Sequence, residues 1–213
     1  MGTELTVFGV LSLGLGLGVL HAFDLDHLAA VSSLSAREGS WKRGVHYSFL
    51  WSLGHGGVLV IVGVFSLLLQ MTLPESIVVL AEQAVGIILI VAGSLMLWRL
   101  LLTLRTKKSV SDTTVVTDKN GAGSAPLLVG VVHGVAGSGP LIAMLAVTLY
   151  EPAMALAYVV TFSVGALLGM VTFGQLLCSG QRFLLDAYPA LNHCVQLSLG
   201  CFAVGIGAVW LAH

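Results

Sequence analysis

Long apolar stretches separated by short polar breaks run through the whole sequence. The stretches cover residues 5–34, 45–70, 77–103, 126–149, 153–178 and 191–212, and the breaks lie at 37–43, 71–75, 105–125, 151–152 and 179–189. A helix needs about 20 mostly apolar residues to cross the hydrocarbon core of a bilayer, and each stretch reaches that length. The pattern predicts an all-α, multi-pass membrane protein with six transmembrane helices, embedded in the lipid bilayer of an inner or plasma membrane.

The positive side chains are confined to alternate breaks. Those at or beside the first, third and fifth breaks are Arg37, Lys42, Arg43, Arg99, Arg105, Lys107, Lys108, Lys119 and Arg182, whereas Glu4, Glu75 and Glu151 lie on the other side. Because Lys and Arg are retained on the cytoplasmic side, we expect cytoplasmic odd-numbered loops and both termini outside. The basic residues then serve orientation, and no nucleic-acid partner is expected. The polar break 105–125 is predicted to be a flexible cytoplasmic linker.

Composition excludes the soluble globular class. Hydrophobic residues make up 57% of the 213 residues and charged residues 9%, whereas soluble domains carry about 25% charged residues. No basic region precedes the first apolar stretch, so no cleaved signal peptide is expected. The three cysteines, which form no CxxC pair, are expected to be buried apolar fillers: Cys178, Cys194 and Cys201.

The two halves of the sequence resemble each other at an offset of about 112 residues. The matches, in the same order, are Gly18-Val19-Leu20-His21 with Gly130-Val131-Val132-His133, Ser52-Leu53-Gly54 with Ser163-Val164-Gly165, and Gly93 and Trp98 with Gly205 and Trp210. Each half has three spans, so the second half enters the membrane from the opposite side. We therefore predict two inverted three-helix repeats, residues 1–104 and 126–213, as in many secondary transporters. Duplication without transport would leave the same pattern.

Two carboxylates, Asp24 and Asp26, lie well inside the first apolar stretch. A charge at the bilayer centre costs about 2.5–3.5 kcal/mol, so water, protonation or a bound cation must compensate. His21 and His27 flank the carboxylates. Nitrogen and carboxylate donors without thiolate suit Ni²⁺, Co²⁺ and Zn²⁺. The segment is a candidate site for a divalent transition metal.

A continuous helix would not bring these side chains together. It would point His21 and His27 about 240° apart. The first stretch is longer than a membrane requires, and glycines at positions 14, 16 and 18 loosen the helix just before His21. We expect a discontinuous first helix with a break near His21, buried in protein or lining a cavity.

Two further histidines lie inside spans. A histidine in a span is more often an interhelical hydrogen-bonding group than a ligand, but His133 is the repeat counterpart of His21. It opens the run His133-Gly134-Val135-Ala136-Gly137-Ser138-Gly139-Pro140, which favours a break in the fourth helix too. His55, in the second span, is the other candidate ligand. We assign no role to His46, His193 and His213.

These motifs resemble a known family. His21-x4-Asp26-His27, with Asp24 inside it, resembles the HX4DH signature of the nickel/cobalt transporter (NiCoT/NicO) family, and Leu53-Gly54-His55 resembles its second motif. The run from His133 to Ser138 is similar to the six-span UreH-like subgroup, often described as urease accessory membrane proteins. The resemblance implies transport of Ni²⁺ or Co²⁺, with His21, Asp24, Asp26 and His27 as ligands and His55 in support. The later acidic motifs of the longer eight-span transporters are absent.

The hypothesis from the sequence is a permease for Ni²⁺ or Co²⁺, the metal being the transported substrate and not a cofactor. A metal-binding accessory protein without transport is the alternative. A six-span thiol–disulfide carrier would need a reactive cysteine in each half, and a membrane enzyme is not expected because no HExxH motif or nucleophile–base pair is present. The sequence leaves open the preferred metal, the direction, the coupling ion and the oligomeric state, a homo-oligomer being compatible with it.

Overall fold

The computed structural model describes residues 2–35, 41–69, 71, 73–106, 124–137 and 152–212. These residues form seven α-helices and no strands. The helices are α1 (Gly2–His21), α2 (Leu25–Ser35), α3 (Trp41–Leu69), α4 (Glu75–Thr106), α5 (Ala125–Ala136), α6 (Pro152–Ala187) and α7 (Pro189–Ala212). The all-α prediction is confirmed for this part of the chain.

Proline sets several helix starts. Pro152 and Pro189 are the first residues of α6 and α7, and Pro126 occupies the first turn of α5. Proline suits these positions because its fixed φ favours helix and the first turn has no partner for its missing N–H.

Four of the described helices are long and apolar enough to cross a membrane. They contain Gly44–Leu69, Glu75–Arg105, Pro152–Leu177 and Ala190–Ala212. Two shorter apolar helices, Val7–His21 and Ala125–Ala136, lie within the first and fourth stretches predicted from the sequence. Large apolar side chains such as Phe8, Leu68 and Leu176 are exposed on the outside, as the surface of a membrane protein requires.

The polar break between the fifth and sixth apolar stretches lies where the sequence places it, since the candidate spans are Pro152–Leu177 and Ala190–Ala212. The break itself is largely helical: α6 continues to Ala187, and only Tyr188 separates it from α7. Polar residues can continue a helix once it leaves the hydrocarbon core.

One expectation from the sequence is wrong. Cys194 and Cys201 are exposed on α7 and do not fill the core, and a thiol tolerates an exposed position because it is only weakly polar. The side chain of Cys178 and most of the 105–125 linker lie outside the described residues.

The core lies between α3 and α6. Its largest buried apolar side chains include Trp51 and Leu59 of α3 and Val159 and Met170 of α6. The two helices run antiparallel, since Gly56 lies against Ser163 while Gly63 lies against Val159.

Glycines allow the remaining helices to approach backbone to backbone. A Cβ at Gly18 of α1 would overlap the carbonyl oxygen of Phe162 in α6, and a Cβ at Gly130 of α5 would overlap that of Trp51 in α3. The pairs α1–α6 and α3–α5 are both parallel. Helices α4 and α7 pack antiparallel, through Gly86 against Gly207 and Gly93 against Gly200. In a membrane, such small residues are what let helices pack closely.

Candidate metal site

The polar cluster begins where α1 ends. After His21 the backbone forms a turn in which the Asp24 N–H donates to the His21 carbonyl oxygen at 3.1 Å and the Phe23 N–H to that of Leu20 at 2.9 Å. Helix α2 starts directly afterwards, with the Leu28 N–H donating to the Asp24 carbonyl oxygen at 2.9 Å. With the helix interrupted between His21 and Leu25, the rings of His21 and His27 have a centroid separation of 4.6 Å.

Helices α3 and α5 supply two more imidazoles. The close approach of α5 to α3 at Gly130 and Gly134 places His133 beside His55, with ring centroids 5.9 Å apart. His55 is fully buried, and His27 and His133 are 1% and 2% exposed. Histidines from three separate parts of the sequence therefore meet, three of them buried.

The described donors fall into two groups of three. One contains His21, His27 and His55, and the other contains Asp26, His27 and His133. Within each group the potential ligand atoms lie within 4.8 Å of one another. Donors bound to one ion at about 2.1 Å lie at most about 4.2 Å apart, so small side-chain movements would close either group around a metal.

Direct contacts link the members of each group. The Nε2 atoms of His21 and His55 are 3.3 Å apart. The Nε2 atom of His133 lies 2.9 Å from Asp26 Oδ2. The other oxygen of Asp26 accepts a hydrogen bond from the backbone N–H of His27 at 2.9 Å, and so the carboxylate is held between the two histidines.

Several buried nitrogens have no hydrogen-bond partner among the described residues. Those on the candidate ligands are both ring nitrogens of His27 and Nδ1 of His55. The Nδ1 atom of His27 is 3.3 Å from Asp26 Oδ1 but makes no hydrogen bond with it. A buried polar group left unsatisfied costs about 1–3 kcal/mol. A cation held by these nitrogens would remove that cost.

Asp24 takes a different place from the other candidate residues. Its Oδ2 lies 2.6 Å from His21 Nδ1, and its side chain is 53% exposed, against 14% for Asp26. It belongs to neither group of three donors. Its carboxylate occupies one nitrogen of the His21 ring, and the other nitrogen is left to face His55.

Two aromatic residues that were not predicted from the sequence, Trp51 and Phe162, line the site. The ring centroid of Trp51 is 5.6 Å from that of His27 and 5.7 Å from that of His133. Phe162 lies 5.2 Å from His21. The sequence carried a signal for both, since Trp51 lies one helical turn before His55 and Phe162 lies 111 residues after Trp51, at the repeat offset.

The remaining histidines lie apart from this cluster. His46 is exposed and His193 is partly exposed, and neither belongs to a donor group of the described residues. His213 lies outside the described residues, as does the end of the run His133–Pro140 from Ser138 onward.

Comparison with known proteins agrees with the donor chemistry. Residues 7–207 match the family NicO, described as "High-affinity nickel-transport protein". The urease accessory protein UreH of Bacillus sp. (strain TB-90) is 29% identical over 194 residues, which cover 89% of this chain and 84% of that protein.

Two plant proteins are also similar. The chloroplast proteins FOR GROWTH AND FERTILITY 2 and 1 of Arabidopsis thaliana are 24% and 26% identical over 89% of this chain. The alignments cover 52% and 55% of those proteins, so the chain spans about half their length. No solved structure matches the chain. Since the family match extends over nearly all of the sequence, the protein belongs to the NicO family.

Proposed function

We propose that the protein is a permease for Ni²⁺ or Co²⁺, which it binds at the His/Asp cluster and carries across the membrane. The observation that carries the proposal is the convergence of buried imidazoles with one carboxylate. Both ring nitrogens of His27 lack a hydrogen-bond partner, and Nδ1 lies 3.3 Å from Asp26 Oδ1. Imidazole and carboxylate together suit borderline divalent metals. Ionisable side chains inside a membrane span mark functional sites by default, and ion pathways are one kind of such site.

The proposed ligand set is that of the sequence hypothesis without Asp24, which belongs to neither donor group. His21, Asp26, His27, His55 and His133 contact the metal, because each contributes a ligand atom to a group of three donors. Asp24 orients His21 and attracts the cation from the exposed side, where its carboxylate lies.

The proposed architecture has six spans in two inverted repeats, 1–104 and 126–213, joined by a cytoplasmic linker at 105–125. The first span comprises α1 and α2 with the break at residues 22–24, and the fourth begins with α5. Contacts between helices support this symmetry, because a contact within one pair of helices has a counterpart, 111–112 residues away in the sequence, within another pair. Gly18 meets Phe162 as Gly130 meets Trp51, and Gly165 meets Leu15 as Gly54 meets Leu127.

This symmetry allows alternating access. The candidate ligands come from the first repeat, on α1, α2 and α3, and from the second repeat, on α5. If one repeat rocks against the other, the ligands separate and the ion is exposed to one side at a time. An inward-negative potential of 100 mV favours uptake of a divalent cation by about 4.6 kcal/mol, at about 2.3 kcal/mol per charge, which can drive uptake by itself. Proton coupling through the histidines or aspartates is equally compatible with the sequence.

A second candidate function follows from the likeness to a urease accessory protein. In that case the cluster would bind nickel for a partner that matures a metalloenzyme, without moving the ion across the membrane. The two functions share the ligands and differ in flux.

Reconstituted vesicles distinguish the two functions. Purified protein is placed in liposomes that contain a metal-sensitive dye, and Ni²⁺ or Co²⁺ is added outside under an inside-negative potential. The permease is expected to raise the internal metal concentration, and the His27→Ala protein is not. Binding of the metal without internal accumulation would reject the permease and favour the accessory function.

A further inference from the structure

The candidate ligands do not form one shell around a common centre. The described donors separate into His21, His27 and His55 on one side and Asp26, His27 and His133 on the other. Each side is held together by its own contact, between His21 and His55 at 3.3 Å and between Asp26 and His133 at 2.9 Å. His27 is the residue that the two groups share.

The ring of His27 is buried and lies close to members of both groups. It is 1% exposed, and its ring centroid lies 4.6 Å from those of His21 and His133 and 5.0 Å from that of His55. Both of its ring nitrogens lack a hydrogen-bond partner. The Nδ1 atom lies toward Asp26 at 3.3 Å. The Nε2 atom lies on the opposite edge of the ring from Nδ1. It can therefore bind a metal ion together with His21 and His55.

We propose that the protein has two adjoining metal positions that share His27, and that the ion passes from one to the other during transport. This inference rests on the proposed function. The histidine position consists of His21, His27 and His55, and the carboxylate position consists of Asp26, His27 and His133. An ion moving between them exchanges two residues for two others and passes from one ring nitrogen of His27 to the other, so His27 supplies a ligand before and after the step.

The two positions differ in charge and therefore in role. The carboxylate position carries one negative charge and holds a divalent cation more strongly, so the resting ion lies there. The histidine position offers only nitrogen donors, and its nearest carboxylate, Asp24, contacts His21 and is not a member of the donor group. Mg²⁺ and Ca²⁺ take oxygen ligands, whereas imidazole suits Ni²⁺ and Co²⁺. Passage through the histidine position therefore rejects the abundant hard cations that the carboxylate alone would admit.

The test compares variants that remove one position at a time. His55→Gln removes a donor from the histidine position, and His133→Gln removes one from the carboxylate position while its amide still donates to Asp26. Full-length protein in detergent is titrated with Ni²⁺, and X-ray absorption counts the imidazoles on the bound ion. Gel filtration and circular dichroism establish folding. If either variant fails to fold, His21→Gln or Asp26→Asn replaces it.

Each single variant is expected to bind one Ni²⁺ per chain. The ion should have two imidazole ligands in His55→Gln, with an affinity close to that of the parent. It should have three in His133→Gln, with a weaker affinity. The double variant and His27→Gln should bind at least tenfold more weakly than either single variant. Loss of binding in a single variant to the level of the double variant would overturn the proposal, because it would mean a single shell.

Flux measurements complete the test. In liposomes both single variants should lose Ni²⁺ transport although they bind the ion, and parental flux in either would refute passage between positions. In the parent protein, Mg²⁺ should neither cross nor displace Ni²⁺. If the parent itself moves no Ni²⁺, the permease function fails, while the binding titrations and imidazole counts still decide whether two positions exist.

Discussion

At the scale of single residues, the candidate site consists of polar side chains whose burial is unfavourable in free energy, and a bound metal would offset that penalty. His27 and His55 are buried with ring nitrogens that lack partners, and Asp26 contacts imidazole on two sides. Breaking a buried charge network by removing one member usually destabilises a protein. Replacing a ligand by an amide of similar shape keeps most of its hydrogen bonds. Such variants therefore distinguish the loss of metal binding from the loss of folding.

Asp26→Asn should abolish metal movement and leave the protein in the membrane. Asparagine keeps the size of the side chain but loses the charge that attracts a divalent cation, and losing such a ligand lowers metal affinity or activity by roughly tenfold or more. Radioactive nickel accumulation, with the amount of membrane protein measured by immunoblot, gives the result. His193→Ala is the control and should behave like the parent, because His193 lies apart from the donor groups. Parental transport by Asp26→Asn would exclude this carboxylate from the pathway.

Trp51 should report metal binding directly. Its indole lies 5.6 Å from the His27 ring and 5.7 Å from the His133 ring, a distance at which bound Ni²⁺ or Co²⁺ quenches fluorescence. In a chain with the other tryptophans changed to Phe (Trp41, Trp98 and Trp210), Ni²⁺ should quench emission in a saturable way. Adding His27→Ala should remove the quenching. Equal quenching with and without His27 would place the ion elsewhere.

The sequence could predict which residues are candidate ligands, but not which of them contact each other. Asp26 and His27 stand out because ionisable residues are rare in apolar spans. The pairing of His21 with His55, and of Asp26 with His133, depends on which helices touch. The separation of Asp24 from the donor groups likewise arises from the local turn, which an ideal helical wheel does not describe.

At the scale of helices, glycine positions decide where the helices that carry the site can meet. Gly18 lies three residues before His21, and its contact with Phe162 in α6 fixes the end of α1. Gly130 lies three residues before His133 and makes the corresponding contact with Trp51. The sequence showed these glycines as matching positions of the two halves, but not that they are points of contact between helices.

Gly18→Ala should destabilise the protein and weaken metal binding, whereas Gly16→Ala should not. A methyl group at Gly18 would overlap backbone atoms of α6, while nothing lies within 4 Å of the corresponding position at Gly16. Overpacking costs typically about 1–3 kcal/mol, and alanine returns at most about 1 kcal/mol of helix propensity. Thermal unfolding in detergent and Ni²⁺ titration measure both effects. A Gly18→Ala protein as stable as Gly16→Ala would contradict the packing of α1 on α6.

Most of the helices could be predicted from hydropathy. The second, third, fifth and sixth apolar stretches correspond to α3, α4, α6 and α7 within a few residues at most ends. The exception is residues 179–187, where polar side chains suggested a break and the helix continues. Polarity marks where a chain leaves the membrane but does not by itself end a helix.

At the scale of the whole molecule, the proposed transport path depends on how the six spans are oriented in the membrane. The proposed six-span topology puts residue 124 in the cytoplasm and residue 75 outside, and both side chains are exposed. In a chain whose own cysteines are replaced, Ser124→Cys should react with a membrane-impermeant maleimide only after cells are opened. Glu75→Cys should react in intact cells. The reverse pattern would contradict the orientation, and retained transport by the cysteine-free chain would dispose of a thiol–disulfide carrier.

A permease that uses the buried His/Asp cluster must change the amount of nickel or cobalt inside the cell. This is measured as the radioactive nickel content of cells that express the parent protein, beside cells that express equal amounts of His27→Ala in the membrane. We expect the two contents to differ, with more nickel in the parent cells for an importer and less for an exporter. Equal content of nickel, and then of cobalt, in the two kinds of cell would mean that the cluster transports neither metal.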